Sequence, residues 1–562
     1  MRGLSVLDGW LYYKDPSLPP LSSLAYLFLA IVFSSALIAL DLGKRKTVSF
    51  KMGEASGFTS VAMIGCGSMG GGLALLLAEN GVKVSLQDPS EEMMDGVIEK
   101  GESSGYHGML AKSKGYKSLC ASLSKPRLFI FSIPAGSVAD KVLDGLLPHL
   151  FEGDIILDCG NEHFENTERR QGRATKSGVR YIGSGVSGGY QSARAGPSFS
   201  PGGDESAVQE IMPLLETIAA KDDEGRPCVG YIGKGGAGHY VKMLHNGIEH
   251  GMMSAICEAW GIMRQMGLGY EEIGDVLKKW NQSTEFRETF LIGIGADLSH
   301  KHEDSAGKPA VISEVLDKVV QDVTGEEGTG IWSNTQAIDL HVPAFTLNIA
   351  HAFRLASAFR GERLRANNAS NGGFPSGELT VQNKDAFTED LRKATYAACL
   401  ASFIQGINVI SRADQTHEWD INYGNVWKMW RAGCIIQSDY ISKEILGPVL
   451  NSKPNPKDLI FLYNQRMMEE VRKSYPSLRR VVAKAVETDQ VIPALSSTLE
   501  YFKVVTGTDL PTSFYDAELD YFGSHMFDKK GEEGTEKPEE GKHHFEWKPA
   551  KSQKETYGKS NL

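Results

Sequence analysis

None of the seven cysteines in this 562-residue chain (Cys66, Cys120, Cys159, Cys228, Cys257, Cys399, Cys434) belongs to a C-x-x-C pair. That scatter gives a metal site no support and fits reduced core residues of an intracellular protein. Positive charge is also scarce, with 59 Lys and Arg against 70 Asp and Glu for a net charge of -11. Such a balance argues against nonspecific nucleic-acid binding. An anionic substrate would need a local group of lysines and arginines. What is present is ordinary for a soluble globular protein, 41% hydrophobic and 23% charged residues. The length exceeds one hydrophobic core, so two or more domains are expected.

Residues 1–57 read as an extension outside the fold. Leu21 to Leu40 is an uncharged, mostly apolar run of 20 residues, long enough to span a bilayer, and Lys44, Arg45 and Lys46 follow it. Two readings stand: an anchor that keeps the following domain on the cytoplasmic side, or a mis-assigned start with the functional chain beginning at Met52. A cleaved signal peptide fits less well, because the run starts late.

From Thr59 the pattern becomes specific. A short apolar strand, Ser60 to Ile64, runs into Gly65-Cys66-Gly67-Ser68-Met69-Gly70, and an apolar helix follows. G-x-G-x-x-G between a strand and a helix is a dinucleotide fingerprint: a tight turn, close backbone approach to a pyrophosphate, and a helix N-terminus facing the anion. The next strand, Val82 to Leu86, ends at Gln87-Asp88. An acidic residue there accepts hydrogen bonds from a ribose 2′-OH and repels a 2′-phosphate, which favours NAD over NADP. Further strands are expected at 128–133 and 154–157, giving a doubly wound α/β domain over 58–235. A glycine-rich passage, 183–189 and 196–203, either only turns or lets backbone approach a ligand, with Ser187 able to bond a carboxylate.

From about 236 the pattern is helical, with apolar-periodic segments at 241–266, 338–366 and 386–412. The expected divisions are an all-helical domain over 236–510 and a tail over 511–562, charged and poorly compact from about 528. The first helix places Lys242, His245, Asn246 and Glu249 at i, i+3, i+4 and i+7, on one face. Most of the remaining circumference is apolar or small, which puts the helix in a core and its stripe along a cleft. A solvated, salt-bridged face is the alternative from that window alone.

Taken in order, GCGSMG (65–70), DCGN (158–161), GSGVSGG (183–189), GAGHYVKMLHNGIEHG (236–251), EEGTGIW (326–332), INYGNVWKMWRAGCII (421–436) and DYFGSH (520–525) resemble the 6-phosphogluconate dehydrogenase family. The resemblance runs from about Val61 to His525. It implies a Rossmann domain followed by an all-α domain and an extended tail, in a homodimer whose tail completes the partner's site. It implies oxidation of C3 of 6-phosphogluconate, hydride transfer to NADP, and decarboxylation of the β-keto acid without a metal. Lys242 would be the base and then the acid at the 3-oxygen, neutral when substrate binds; Glu249 would be the acid that protonates C1. Asn161, Ser187, Gly188, Gly189, His245 and Asn246 match substrate contacts. Gly65, Gly67, Ser68, Met69, Gly70, Asp88, Ile133, Ala135 and Asn161 fall at the cofactor.

Two ends depart from the family pattern. At the phosphate, Arg354 and His525 match, but a tyrosine is replaced by His250, a lysine by Ile331, a second arginine by Thr506, and a further lysine by Glu327. Compensation is expected from a protonated His250, or from Lys503 or Arg360. At the cofactor, Asp88 stands close to where the family pairs an arginine with the 2′-phosphate, so NAD competes with NADP. The same chemistry on an unphosphorylated or differently charged aldonate, and a non-catalytic dinucleotide-binding paralogue, are the alternative functions. A cytoplasmic location is expected; Ser560-Asn561-Leu562 is a weak echo of the S-K-L peroxisomal address.

Overall fold

The near-continuous apolar runs SVAMI, LFIF and IILD need cover on both faces, and a parallel sheet between helices supplies it. A computed structural model describes residues 57–547, except 304–308, 326–327, 376 and 533–537. The run 21–40, Met52, Glu327 and the last three residues lie outside the described residues.

Seven strands form one sheet: β1 (Ser60–Ile64), β2 (Lys83–Gln87), β3 (Leu110–Lys112), β4 (Leu128–Phe131), β5 (Ile155–Asp158), β6 (Arg180–Ser187) and β7 (Ser198–Gly203). Their order is β3-β2-β1-β4-β5-β6-β7, parallel except for the antiparallel β6–β7 pair. Alternate residues feed two cores. Met63, Leu86, Ile130 and Leu157 point to one, with the apolar helix α1 (Ser68–Glu79); Ala62, Ile64, Phe129 and Phe131 point to the other. The expected strands therefore exist with slightly shifted ends, and residues 132–133 already belong to the loop after β4.

A helical region follows. Its central member, α2 (Ala237–Gln265), is apolar around most of its surface and buried along most of its length. Among the helices beyond it are α3 (Thr329–Asp339), α4 (Phe345–Ala358), α5 (Lys384–His417) and α6 (Thr512–Gly523). The expected segment 338–366 is not one helix. Pro343, which lacks an N–H and disfavours helix at the residue before it, separates α3 from α4, and a second break falls at Phe359. Helix α5 is long and apolar enough to cross a membrane, but its apolar window is 94% buried, packed on α2. Leu244 and Phe403 sit in that core with no exposure, so truncating either to alanine costs about 3–5 kcal/mol. Five of the seven cysteines are buried as expected; Cys159 is half-buried and Cys257 is exposed.

After α6 the chain doubles back through a bridge between Phe527 and His543. Asp520 ties this segment down by accepting from the N–H groups of Met526 (3.1 Å) and Phe545 (3.1 Å) and from Trp547 Nε1 (2.8 Å).

Candidate active site

Strand order reverses between β1 and β4, and loops leaving the carboxyl ends of neighbouring strands frame a crevice there, the usual ligand position in such sheets. Gly65 turns with φ +97°, and a Cβ on it would lie 2.1 Å from the Ser132 carbonyl oxygen, so only glycine fits. Gly67 caps the N-terminus of α1, and Ser68, Met69 and Gly70 form its first turn. Asp88 follows β2. Its Oδ2 accepts from the Cys66 N–H at 2.7 Å and its Oδ1 from the Ser90 N–H at 2.8 Å, so this carboxylate also braces the glycine loop. Burial and Asp88 push the Cys66 thiol up to about 12, which leaves it protonated and unreactive.

The loop after β4 carries half-buried Ile133 and exposed Ala135. The fully buried Arg170 donates to Glu162 (2.5 Å) and to the Gly136 carbonyl (2.7 Å), while Glu162 accepts from the Gly136 N–H (2.8 Å). Those bonds fix the loop without using Ile133 or Ala135. Asn161, after β5, is exposed, and the turn before it is set by Asp158, which accepts from the Gly160 N–H at 3.0 Å.

The stripe of α2 lies directly behind β6. A Cβ on Gly185 would lie 2.1 Å from the Cβ of Lys242, so this glycine lets strand and helix meet at that point. Lys242, His245 and Asn246 are buried, and Glu249 is partly exposed; the solvated-face alternative is thereby excluded. Lys242 Nζ donates to Ser187 Oγ (2.9 Å) and Asn246 Oδ1 (2.7 Å). His245 closes a ring, with Nε2 at 3.0 Å from Ser187 Oγ and Nδ1 at 3.0 Å from Asn246 Oδ1.

One proton assignment satisfies the ring. Burial first, and then the Lys242 charge, hold the His245 imidazole well below its ordinary range, so it is neutral. An amide oxygen only accepts, so Nδ1 carries the proton and Nε2 accepts from the Ser187 hydroxyl. Ser187 Oγ is then left to receive the Lys242 N–H. Glu249 Oε2 lies 3.8 Å from His245 Nδ1, too far for a hydrogen bond. Gly188 (φ +105°) and Gly189 follow Ser187 and open a short helix, Gly189–Ala195. Four of the expected positions thus converge, Ser187 from the sheet side and Lys242, His245 and Asn246 from the helix, with Gly188 and Gly189 next to Ser187 in the chain.

The phosphate-end residues behave differently. His250 is buried, and burial together with the Arg354 charge pushes its imidazole down, so the expected protonated His250 is not what this environment favours. Arg354 Nε donates to Asp322 Oδ2 at 2.8 Å. Arg360 pairs with Asp317 (2.8 Å) and Lys503 with Glu500 (2.6 Å). His525 is exposed at the end of α6, in ring contact with Phe522; no hydrogen bond or ion pair joins it to the Lys242 ring among the described residues.

Three residues were not singled out by sequence reading. Thr329 receives the Asn246 Nδ2 hydrogen bond at 3.0 Å, and Asp322 and His351 flank His250. Thr329 lies in the G-T-G passage, a usable signal; Asp322 and His351 lie 72 and 101 positions beyond His250, with no spacing signal to join them.

Family models match both halves of the chain. "NAD binding domain of 6-phosphogluconate dehydrogenase" covers residues 60–233, and "6-phosphogluconate dehydrogenase, C-terminal domain" covers 238–547. A decarboxylating 6-phosphogluconate dehydrogenase of Emericella nidulans is 42% identical over 499 residues, 86% of this chain and all of that protein. An NADP(+)-dependent one of Bacillus subtilis is 34% identical over 489 residues, 87% of this chain and 98% of the relative. The solved structure of Plasmodium falciparum 6-phosphogluconate dehydrogenase, described with NADP+ and with 6-phosphogluconate, aligns with a TM-score of 0.76 at 31% identity. It covers 87% of this chain and all of that one.

Proposed function

The chain belongs to the 6-phosphogluconate dehydrogenase family, and from that premise we propose that it converts 6-phosphogluconate to ribulose 5-phosphate and CO2 with hydride transfer to NADP. The observation that carries the reading is the buried ring Lys242–Ser187–His245–Asn246, with Glu249 on the same helix face.

Oxidation at C3 needs a base for the 3-hydroxyl proton. Lys242, entering as the free amine, takes it. The Gly65–Gly70 turn would hold the pyrophosphate of bound NADP, whose nicotinamide would accept the C3 hydride. The resulting 3-keto group is itself the electron sink for loss of the C1 carboxylate's CO2, and Lys242 returns a proton to that oxygen as the enediol forms. Glu249, one helical turn beyond His245, then protonates C1. Ser187 and Asn246 hold the amine through both transfers, and neutral His245 orients both of them. Water-excluding burial keeps the positions fixed.

A second reading keeps this mechanism and changes the substrate to an unphosphorylated aldonate. It is favoured by the phosphate end, where His250 is buried in a site that opposes its protonation and Ile331 and Thr506 carry no charge. Assaying 6-phosphogluconate and gluconate side by side with NADP and NAD decides between them. Turnover of 6-phosphogluconate with NADP supports the first reading; cofactor reduction by gluconate alone supports the second; silence with both supports a non-catalytic paralogue.

We further infer a homodimer in which His525 serves the partner's site. The exposed Phe514, Tyr515 and Phe522 of α6 support a protein-covered face there, since such residues seldom stay in water together. Full activity in a light-scattering monomer would contradict it. A cytoplasmic location fits this metabolic reaction.

A further inference from the structure

The residue that breaks the phosphate pattern, His250, lies in an unusual setting. Its Nδ1, the Nδ1 of His351 and the Oδ1 of Asp322 are all buried without a hydrogen-bond partner. The side chains are 3%, 7% and 6% exposed. One ring nitrogen of each histidine and one Asp322 oxygen all fall within 4.8 Å of one another, with His351 Nδ1 at 3.8 Å from Asp322 Oδ1. Three orphaned polar atoms in one place are costly unless something satisfies them together.

We propose that His250, Asp322 and His351 form a binding site for a divalent first-row transition metal, of which zinc is the best match. Two imidazoles and one carboxylate with an open fourth position are a zinc-type donor set. Ligand atoms around a tetrahedral zinc stand roughly 3.3 Å apart for metal–ligand bonds of about 2.0–2.1 Å. The cluster therefore needs to close by about 0.5 to 1.5 Å, within reach of side-chain rotation. The two rings lie nearly parallel, 7° between planes with centroids 6.5 Å apart, so one ring has to turn for both lone pairs to meet a single ion.

The outer partner is also in place, since Arg354 Nε holds the other Asp322 oxygen at 2.8 Å and sets the carboxylate's orientation. Backbone leaves room as well. Gly330, at the start of α3, faces the cluster: a Cβ there would lie 2.7 Å from Asp322 Oδ1, 2.8 Å from His351 Nδ1 and 3.0 Å from His250 Cε1. Opposing these features are the positive charges of Arg354 and Lys242, both of which act on His250. They weaken cation binding without removing any ligand. If the phosphate reading above holds, which this consequence rests on, the ion would restore positive charge where the family pattern lost it.

The test is titration of chelator-stripped, full-length protein with Zn2+ by calorimetry and with Co2+ by visible absorption. One equivalent binding with the intense d–d bands of a four- or five-coordinate ion is expected. His351→Ala should weaken binding by at least about 100-fold. Gly330→Ala keeps all three ligands and should do the same by filling their space, which guards against misfolding of the ligand variant. His107→Ala, at a histidine whose side chain is largely exposed, should leave the site unchanged. Absence of saturable binding, or equal binding by Gly330→Ala and the unaltered protein, would overturn the proposal. In the same preparations, metal removal should raise KM for 6-phosphogluconate about tenfold or more; binding with an unmoved KM would overturn the link to phosphate.

Discussion

Replacing Lys242 by methionine separates a catalytic amine from a structural one. The change keeps an unbranched chain of nearly the same length in a site that is 6% exposed, and removes only the polar head. The hydrogen bonds to Ser187 Oγ and Asn246 Oδ1 are among those lost. Neither oxygen is stranded, because each keeps its bond to His245. An amine that is charged in the folded protein also carries a desolvation penalty that the variant relieves. The net stability change is therefore small, within about 1 kcal/mol, since hydrogen bonds to charged groups contribute about 1.5–3 kcal/mol and desolvation offsets part of that. Chemistry should suffer far more. Positioned acid–base catalysis contributes about 10²–10⁴-fold, or roughly 2.7–5.5 kcal/mol of barrier. Stopped-flow absorbance of the reduced cofactor should show kcat falling by that factor, with KM nearly unchanged and Tm shifted by no more than a few degrees. A purely structural lysine would show the reverse, a clear loss of Tm with kcat retained in the folded protein. A kcat within tenfold of the unaltered chain would refute the assignment.

Asp88→Asn removes a charge at the 2′-position while keeping an acceptor for the Cys66 N–H, and should raise the NADP-to-NAD ratio of kcat/KM by about 5- to 100-fold; an unmoved ratio would show that Asp88 faces no 2′-group. Buried Glu258 accepts from the Ala494 and Leu495 N–H groups at 2.6 and 2.9 Å, yet burial outweighs those bonds and raises its carboxyl to about 8. A raised carboxyl binds its proton more tightly in the folded state, so its contribution is complete below about pH 4.5 and is lost as pH rises towards 8. Denaturant unfolding should therefore show stability falling over that window by up to about 1.4 kcal/mol per pH unit, and Glu258→Gln should flatten that slope. For Asp520, burial is outweighed by the donors His544 and Trp547 and by two backbone N–H groups, which lower its pKa. The docked tail should hold at neutral pH and loosen as pH falls below about 3.8, seen as a red shift of Trp547 fluorescence that Asp520→Ala already shows at pH 7. An Asp520→Ala spectrum identical to the parent's would contradict that anchor.

The fold was legible wherever a local pattern is sufficient. The buried strand runs, the Gly65–Gly70 turn and the i, i+3, i+4, i+7 stripe of α2 each follow from spacing within a dozen residues. Length was misread where one residue overrides a period, as Pro343 does between α3 and α4. The ring around Lys242 was half legible. Its helix members share a face in the sequence, but their closure through Ser187 needs β6 to pass behind α2, a long-range contact. Least legible was the surrounding of His250. Its neutrality comes from burial against Arg354, and its neighbours Asp322 and His351 come from elements far along the chain, so no window contains the information.

The central claim, one site performing oxidation and then decarboxylation through Lys242 and Glu249, is tested most directly by product stoichiometry. With 6-phosphogluconate and NADP, each NADPH formed should be matched by one CO2 and one ribulose 5-phosphate. NADPH formed without CO2, or no NADPH at all, would contradict it.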